Sequence, residues 1–158
     1  MKGRLLAVLV MIYVTTVISA QEPALLPPAP EKDPFVGTWR ANRDKSQPKL
    51  DGRDSLYVRS ITRDGEDLVF SSQSGTPKQR ANNYRIRCDG RFHNVPFGSL
   101  SCKYNAPSVI EGETSLKSNE TEYWIREVSV DGQEMKITGY KDRKKAKVKS
   151  IWILDRIK

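Results

Sequence analysis

Arg126 stands in Thr-Glu-Tyr-Trp-Ile-Arg-Glu-Val (121–128), a run whose every second residue shares a side if it is extended, so its guanidinium keeps company with Trp124 and Val128. A charge among apolar neighbours needs a partner, because an unpaired buried ion is costly. That partner would be an inward acid, an aromatic face, or the carboxylate or phosphate of a ligand gripped by two parallel hydrogen bonds. His93 is the single histidine of the chain. Alone it cannot build a zinc site, and no acid or thiolate stands at ligand spacing, so neither a metal nor a cofactor is expected. It reads as a hydrogen-bonded histidine of the core or rim, with a ligand contact as the alternative. Tyr84, Tyr104, Trp124 and Ile137 alternate in phase with apolar neighbours and would line either a packed core or a cavity wall.

Other reactive groups offer less. The sequence holds no Gly-x-Ser-x-Gly elbow, no His-Glu-x-x-His and no phosphate-cradling glycine loop, so no catalytic residue is assigned. Its two cysteines, Cys88 and Cys102, each fall in phase with inward residues and are expected to form one disulfide, which removes the thiol nucleophile. The run Lys141-Asp142-Arg143-Lys144-Lys145-Ala146-Lys147-Val148-Lys149 is the densest charge feature. Arg143, Lys144, Lys145, Lys147 and Lys149 would either guard a strand edge against pairing or touch an anionic membrane surface or polysaccharide, with Lys145, Lys147 and Lys149 as a basic stripe on the outer face. No aromatic is interleaved with them, which argues against nucleic acid.

The chain opens with Lys2 and Arg4, an apolar run from Leu5 to Ile18, and Ser19-Ala20, the pattern of a secretory signal over residues 1–20. Residues 21–34 are rich in proline and read as an extended spacer. One domain of ordinary size, 35–158, would follow. The whole chain carries a net charge of +8, and it remains basic without the signal, which favours anionic partners over any particular fold. Export would place it in the periplasm or the medium, and a monomer is expected.

Within the domain no long segment keeps a helical period. Short runs of β-branched and aromatic residues recur near 35–42, 55–63, 66–73, 81–88, 91–96, 99–105, 108–116, 120–130, 133–141 and 145–155. Asp64-Gly65, Asp89-Gly90 and Asp131-Gly132 mark hairpin turns, so the strands should form an antiparallel meander. The turn at Asp131-Gly132 sets a register: Val128 opposite Met135, Arg126 opposite Ile137, Trp124 opposite Gly139, with Glu127 opposite Lys136 and Tyr123 opposite Tyr140 on the other face. Across Asp89-Gly90, His93 would face Ile86 and look inward. The polar stretch 42–54, with Pro48 and Gly52, is too short and broken for a two-helix cap and reads as a loop over one mouth.

The segments Phe-Val-Gly-Thr-Trp-Arg-Ala-Asn-Arg-Asp-Lys-Ser (35–46), Tyr-Arg-Ile-Arg-Cys-Asp-Gly-Arg (84–91) and Val-Ser-Val-Asp-Gly-Gln-Glu-Met (128–135), together with the closing strand, resemble a group of secreted bacterial lipocalin-like proteins of the calycin superfamily. The resemblance implies an all-β up-and-down barrel of eight to ten strands, in which Gly37 and Trp39 sit at the floor and Arg156 covers the Trp39 ring. It brings no established activity. The function expected first is therefore lumenal binding of a small apolar or amphipathic ligand. A filled barrel working through its basic outer face is the second, and an isomerase or hydrolase on the same scaffold a distant third.

Overall fold

The computed structural model describes residues 32–50, 56–73 and 82–157. The expected signal and most of the expected spacer, residues 1–31, lie outside them. Ten strands follow one another: β1 (Gly37–Ala41), β2 (Val58–Asp64), β3 (Asp67–Gln73), β4 (Asn82–Arg87), β5 (Asp89–Val95), β6 (Gly98–Ala106), β7 (Val109–Leu116), β8 (Thr121–Val128), β9 (Glu134–Tyr140) and β10 (Val148–Ile157). They make a single antiparallel sheet in the order β4-β3-β2-β1-β10-β9-β8-β7-β6-β5. Because β1 pairs with β10, the meander curls into a nearly closed barrel. No helix among the described residues is long and apolar enough to cross a membrane.

The turns decide how it closes. Asp64 pairs with Asp67 across a two-residue turn, Gly65-Glu66. Around Asp131-Gly132 the register is the one read from the sequence, from Tyr123 opposite Tyr140 to Val128 opposite Met135. The loop is wider than a two-residue turn, however: Ser129 pairs with Glu134 and Val130 is fully exposed. Widening a hairpin by one residue on each side leaves parity unchanged, which is why every side chain still points the expected way.

Asp89-Gly90 is a correction. It does not join a hairpin, because β4 and β5 are the two edges of the sheet and share no ladder. Asp89 already belongs to β5, opposite Lys103, and Gly90 sits in a bulge between Asp89 and Phe92 at φ +79°. Its positive φ serves the bulge instead of a turn. The seam thus left between β4 and β5 is bridged by side chains. Tyr84 of β4 meets Phe97 edge-on at 5.3 Å, and the expected Cys88–Cys102 disulfide ties the β4–β5 junction to β6.

Strand direction gives the barrel a floor and a mouth. At the floor the interior is solid: Phe35, Trp39, Ile61, Leu68, Ile110, Met135 and Leu154 are all essentially inaccessible. The folded unit takes in more of the N-terminal segment than the expected start at Phe35 allowed. Asp33 is buried, where it accepts the Tyr104 hydroxyl at 2.5 Å and pairs with Arg63. Arg156 lies 4.1 Å over the Trp39 ring and donates to the carbonyls of Pro34, Val36 and Gly132. A Cβ at Gly37 would collide with that guanidinium.

Candidate functional site

Above this floor the barrel holds a cavity of about 670 Å³ that opens at the mouth. Its size falls in the range of small-molecule sites. The lumen is therefore not filled, and what lines it follows from strand parity. Tyr57, just before β2, and Arg59 and Ile61 on it alternate inward; on β8, Trp124, Arg126 and Val128 do the same. Ile137 of β9 and Trp152 of β10 lie opposite each other on the same wall. Tyr57 meets Trp152 edge-on at 5.6 Å. Gly112 makes room for Trp124: a Cβ there would overlap the indole ring and the Ser101 carbonyl. With the ring in that place its N–H donates 3.0 Å to the Thr114 hydroxyl.

Two guanidiniums enter this largely apolar space. Arg126 is buried, 4.2 Å over the Trp124 ring and 5.1 Å from the centre of Phe70. Arg59 lies 5.2 Å from the Tyr57 ring and 5.5 Å from Phe70, and its Nε donates 3.1 Å to the Ser72 hydroxyl. Tyr84 stacks on Phe70 at 4.7 Å. Among the described residues neither guanidinium has a carboxylate partner, and Arg59 Nη1 and Arg126 Nε are buried without any acceptor.

The titration of these groups is divided: burial would lower the pKa of Arg59, but the Tyr57 and Tyr84 phenols hold it above its ordinary value. Burial lowers the pKa of Arg126, and the nearby Arg59 lowers it further, more than the Tyr84 hydroxyl restores. Burial would raise the Tyr84 phenol, but Arg59 and Arg126 together hold it below its ordinary value. The site is a positive well with apolar walls, able to hold an anion by charge-assisted hydrogen bonds where water competes weakly.

Of the residues singled out in the sequence, Arg126, Trp124, Tyr84 and Ile137 come together in the cavity. His93 and Tyr104 lie outside it. His93 turns to Asp89, 2.9 Å from the carboxylate, along the β5 edge. Tyr104 points inward but near the floor, where it donates to Asp33 and accepts from Arg63 at 2.8 Å. Burial, with the Asp33 carboxylate beside it, pushes that phenol well above its ordinary range. For His93 this is the hydrogen-bonded rim position expected first, and the alternative of a ligand contact falls away; for Tyr104 it corrects the assignment as a lining residue.

The basic stripe is corrected as well. Residues 141–147 form a loop instead of strand, closed by Asp142 accepting the Ala146 and Lys147 amides. Lys145 folds onto Glu111 and Lys149 pairs with Glu122 at 2.8 Å, with a register shift between Val148 and Ser150. Arg143, Lys144 and Lys147 remain exposed. Arg59 and Ser72 were missed, although a signal existed. Counting back from the Asp64-Gly65 turn puts Arg59 on the face of Ile61, Leu68 and Phe70.

No protein-family model and no curated protein sequence matches this chain. Solved structures do. A fatty acid transporter, REP1-NXSQ, superposes with a TM-score of 0.55 at 14% identity, covering 78% of this chain and 96% of that one. A tyrosine-to-phenylalanine variant of the same transporter gives 0.58 at 12% identity, over 78% and 98%. Secretory abundant heat soluble protein 4 from Ramazzottius varieornatus gives 0.54 at 7% identity, over 80% and 97%. At these identities the likeness is one of fold, a nearly closed barrel of ten antiparallel strands.

Proposed function

We propose that this protein is an exported binding protein, without catalytic activity, that holds a small amphipathic molecule by its anionic end inside the barrel. The observation that carries the reading is the pair Arg59 and Arg126, two buried cations in a largely apolar cavity without carboxylate partners among the described residues. A structure selected for stability alone would fill such a place with aliphatic side chains, since the desolvation of a guanidinium is repaid only by a good partner. A ligand carboxylate or phosphate would be that partner, and its tail would bury against Trp124, Ile137, Tyr57 and Trp152. Similarity to a fatty acid transporter supports the same class of ligand. The disulfide, with the signal-like start of the sequence, supports export.

The test is a ligand series against the wild type and Arg126→Ala, read by calorimetry. Alkyl acids should lose at least tenfold in affinity, while alcohols of the same chain length change little. Equal loss for both classes, or no binding of any amphiphile to the wild type, would overturn the reading.

A further inference from the structure

Resting on the lumenal reading above, we infer that the preferred head group carries two negative charges at neutral pH, as a phosphomonoester does, instead of the single charge of a carboxylate. The two guanidiniums on the cavity lining lie beside one ring. Both approach the Phe70 ring, at 5.5 Å for Arg59 and 5.1 Å for Arg126, and Tyr84 stacks on the same ring. Among the described residues the protein supplies them with hydroxyl acceptors only, those of Ser72 and Tyr57 at Arg59 and that of Tyr84 near Arg126. Among the described residues the one acid on the cavity lining, Glu122, is already taken by Lys149 at 2.8 Å.

Charge balance then discriminates between head groups. A carboxylate brings one charge and two oxygens, and leaves one of the two cations uncompensated in a place poor in water. A phosphomonoester brings close to two charges and three acceptor oxygens spread tetrahedrally, so that two planar forks can each reach it from their own side. Among the described residues Arg59 Nη1 and Arg126 Nε lack any acceptor, as does Arg63 Nε at the floor, but only the first two belong to guanidiniums on the cavity lining.

Decyl phosphate, decanoate and decanol distinguish the cases, titrated into the protein by calorimetry at about pH 7.5 and about pH 5, either side of the second phosphate pKa of about 6. The phosphate should bind at least tenfold more tightly than decanoate at the higher pH, about 1.4 kcal/mol. The advantage should shrink to roughly twofold at the lower pH, where the phosphate holds one charge. In Arg59→Gln the phosphate should fall to the affinity of decanoate. Equal affinities of the two anions at the higher pH, or a phosphate preference unchanged by pH, would overturn this inference and leave lumenal anion binding standing. Decanol binding as well as both anions would overturn the binding mode itself.

Discussion

Arg126→Met should make the empty protein more stable while removing its hold on anions. In the wild type this guanidinium is 7% exposed and lacks an ionic partner among the described residues. Effective desolvation penalties for such an ion run to several kcal/mol. Against that stand two stacking contacts, on Trp124 at 4.2 Å and Phe70 at 5.1 Å, worth together about 1–2 kcal/mol. The neighbouring Tyr84 hydroxyl adds about 1 kcal/mol. Methionine keeps much of the volume and a sulfur–aromatic contact, and the repulsion from Arg59 disappears. The balance is a gain of about 1–2 kcal/mol, or about 4–8 °C in Tm for a domain of this size. Urea and thermal unfolding followed by far-ultraviolet circular dichroism would measure it, with decanoate titrations on the same samples. A lower midpoint for Arg126→Met would show that the guanidinium holds the barrel together, and the argument from its missing partner would fail.

Gly112→Ala should cost about 2–3 kcal/mol, because the new methyl overlaps both a ring and a backbone carbonyl, and Trp124 would swing toward the lumen; urea midpoints and ligand affinity should fall together. Removing the disulfide by Cys88→Ser with Cys102→Ser should cost about 3 kcal/mol, the entropy of a loop of this length, and should speed amide exchange most in β4 and β5, which flank the seam. Glu111 is partly buried, which alone would raise its pKa, but hydrogen bonds from Lys145 and Lys103 draw it down to about 2. Its charged form is thus favoured by folding, so its contribution is complete above about pH 4.3 and is lost as the pH falls toward 2. Glu111→Gln should lower stability by about 2 kcal/mol at neutral pH and converge on the wild type near pH 2; a difference that persists there would show that the cost is not electrostatic.

How much of this was legible in the sequence depended on parity. Around Asp131-Gly132 the alternation of Trp124, Arg126 and Val128 against Met135, Ile137 and Gly139 left one arrangement, and the wider loop did not disturb it. At Asp89-Gly90 the same dipeptide misled, since glycine at positive φ suits a bulge as well as a hairpin, and local sequence does not say which strands will be the edges of the sheet. His93 followed that error. Tyr104 and Arg126 share the inward phase and, through Ile110, one row of the ladder; what separates them is the company at each tip, Asp33 and Arg63 for Tyr104 and the Trp124 and Phe70 rings for Arg126, which strand parity does not reveal. The fate of Lys145 and Lys149 turned on ion pairs with Glu111 and Glu122, both distant in the chain.

Strand β2 holds the comparison on which the functional reading depends. Arg59 and Arg63 lie four residues apart on one face of one strand, so both point into the barrel. At the floor Arg63 meets Asp33 and the Tyr104 hydroxyl, and across the same end Arg156 finds three carbonyls and the Trp39 ring. The chain thus recruits a segment from before its first strand to satisfy one inward arginine. About 13 Å along the strand, Arg59 donates to a single serine hydroxyl, and among the described residues Arg126 has no ionic partner. Buried charge neutralised at one end, against two cations facing a cavity at the other, is the contrast on which the proposed anion site rests.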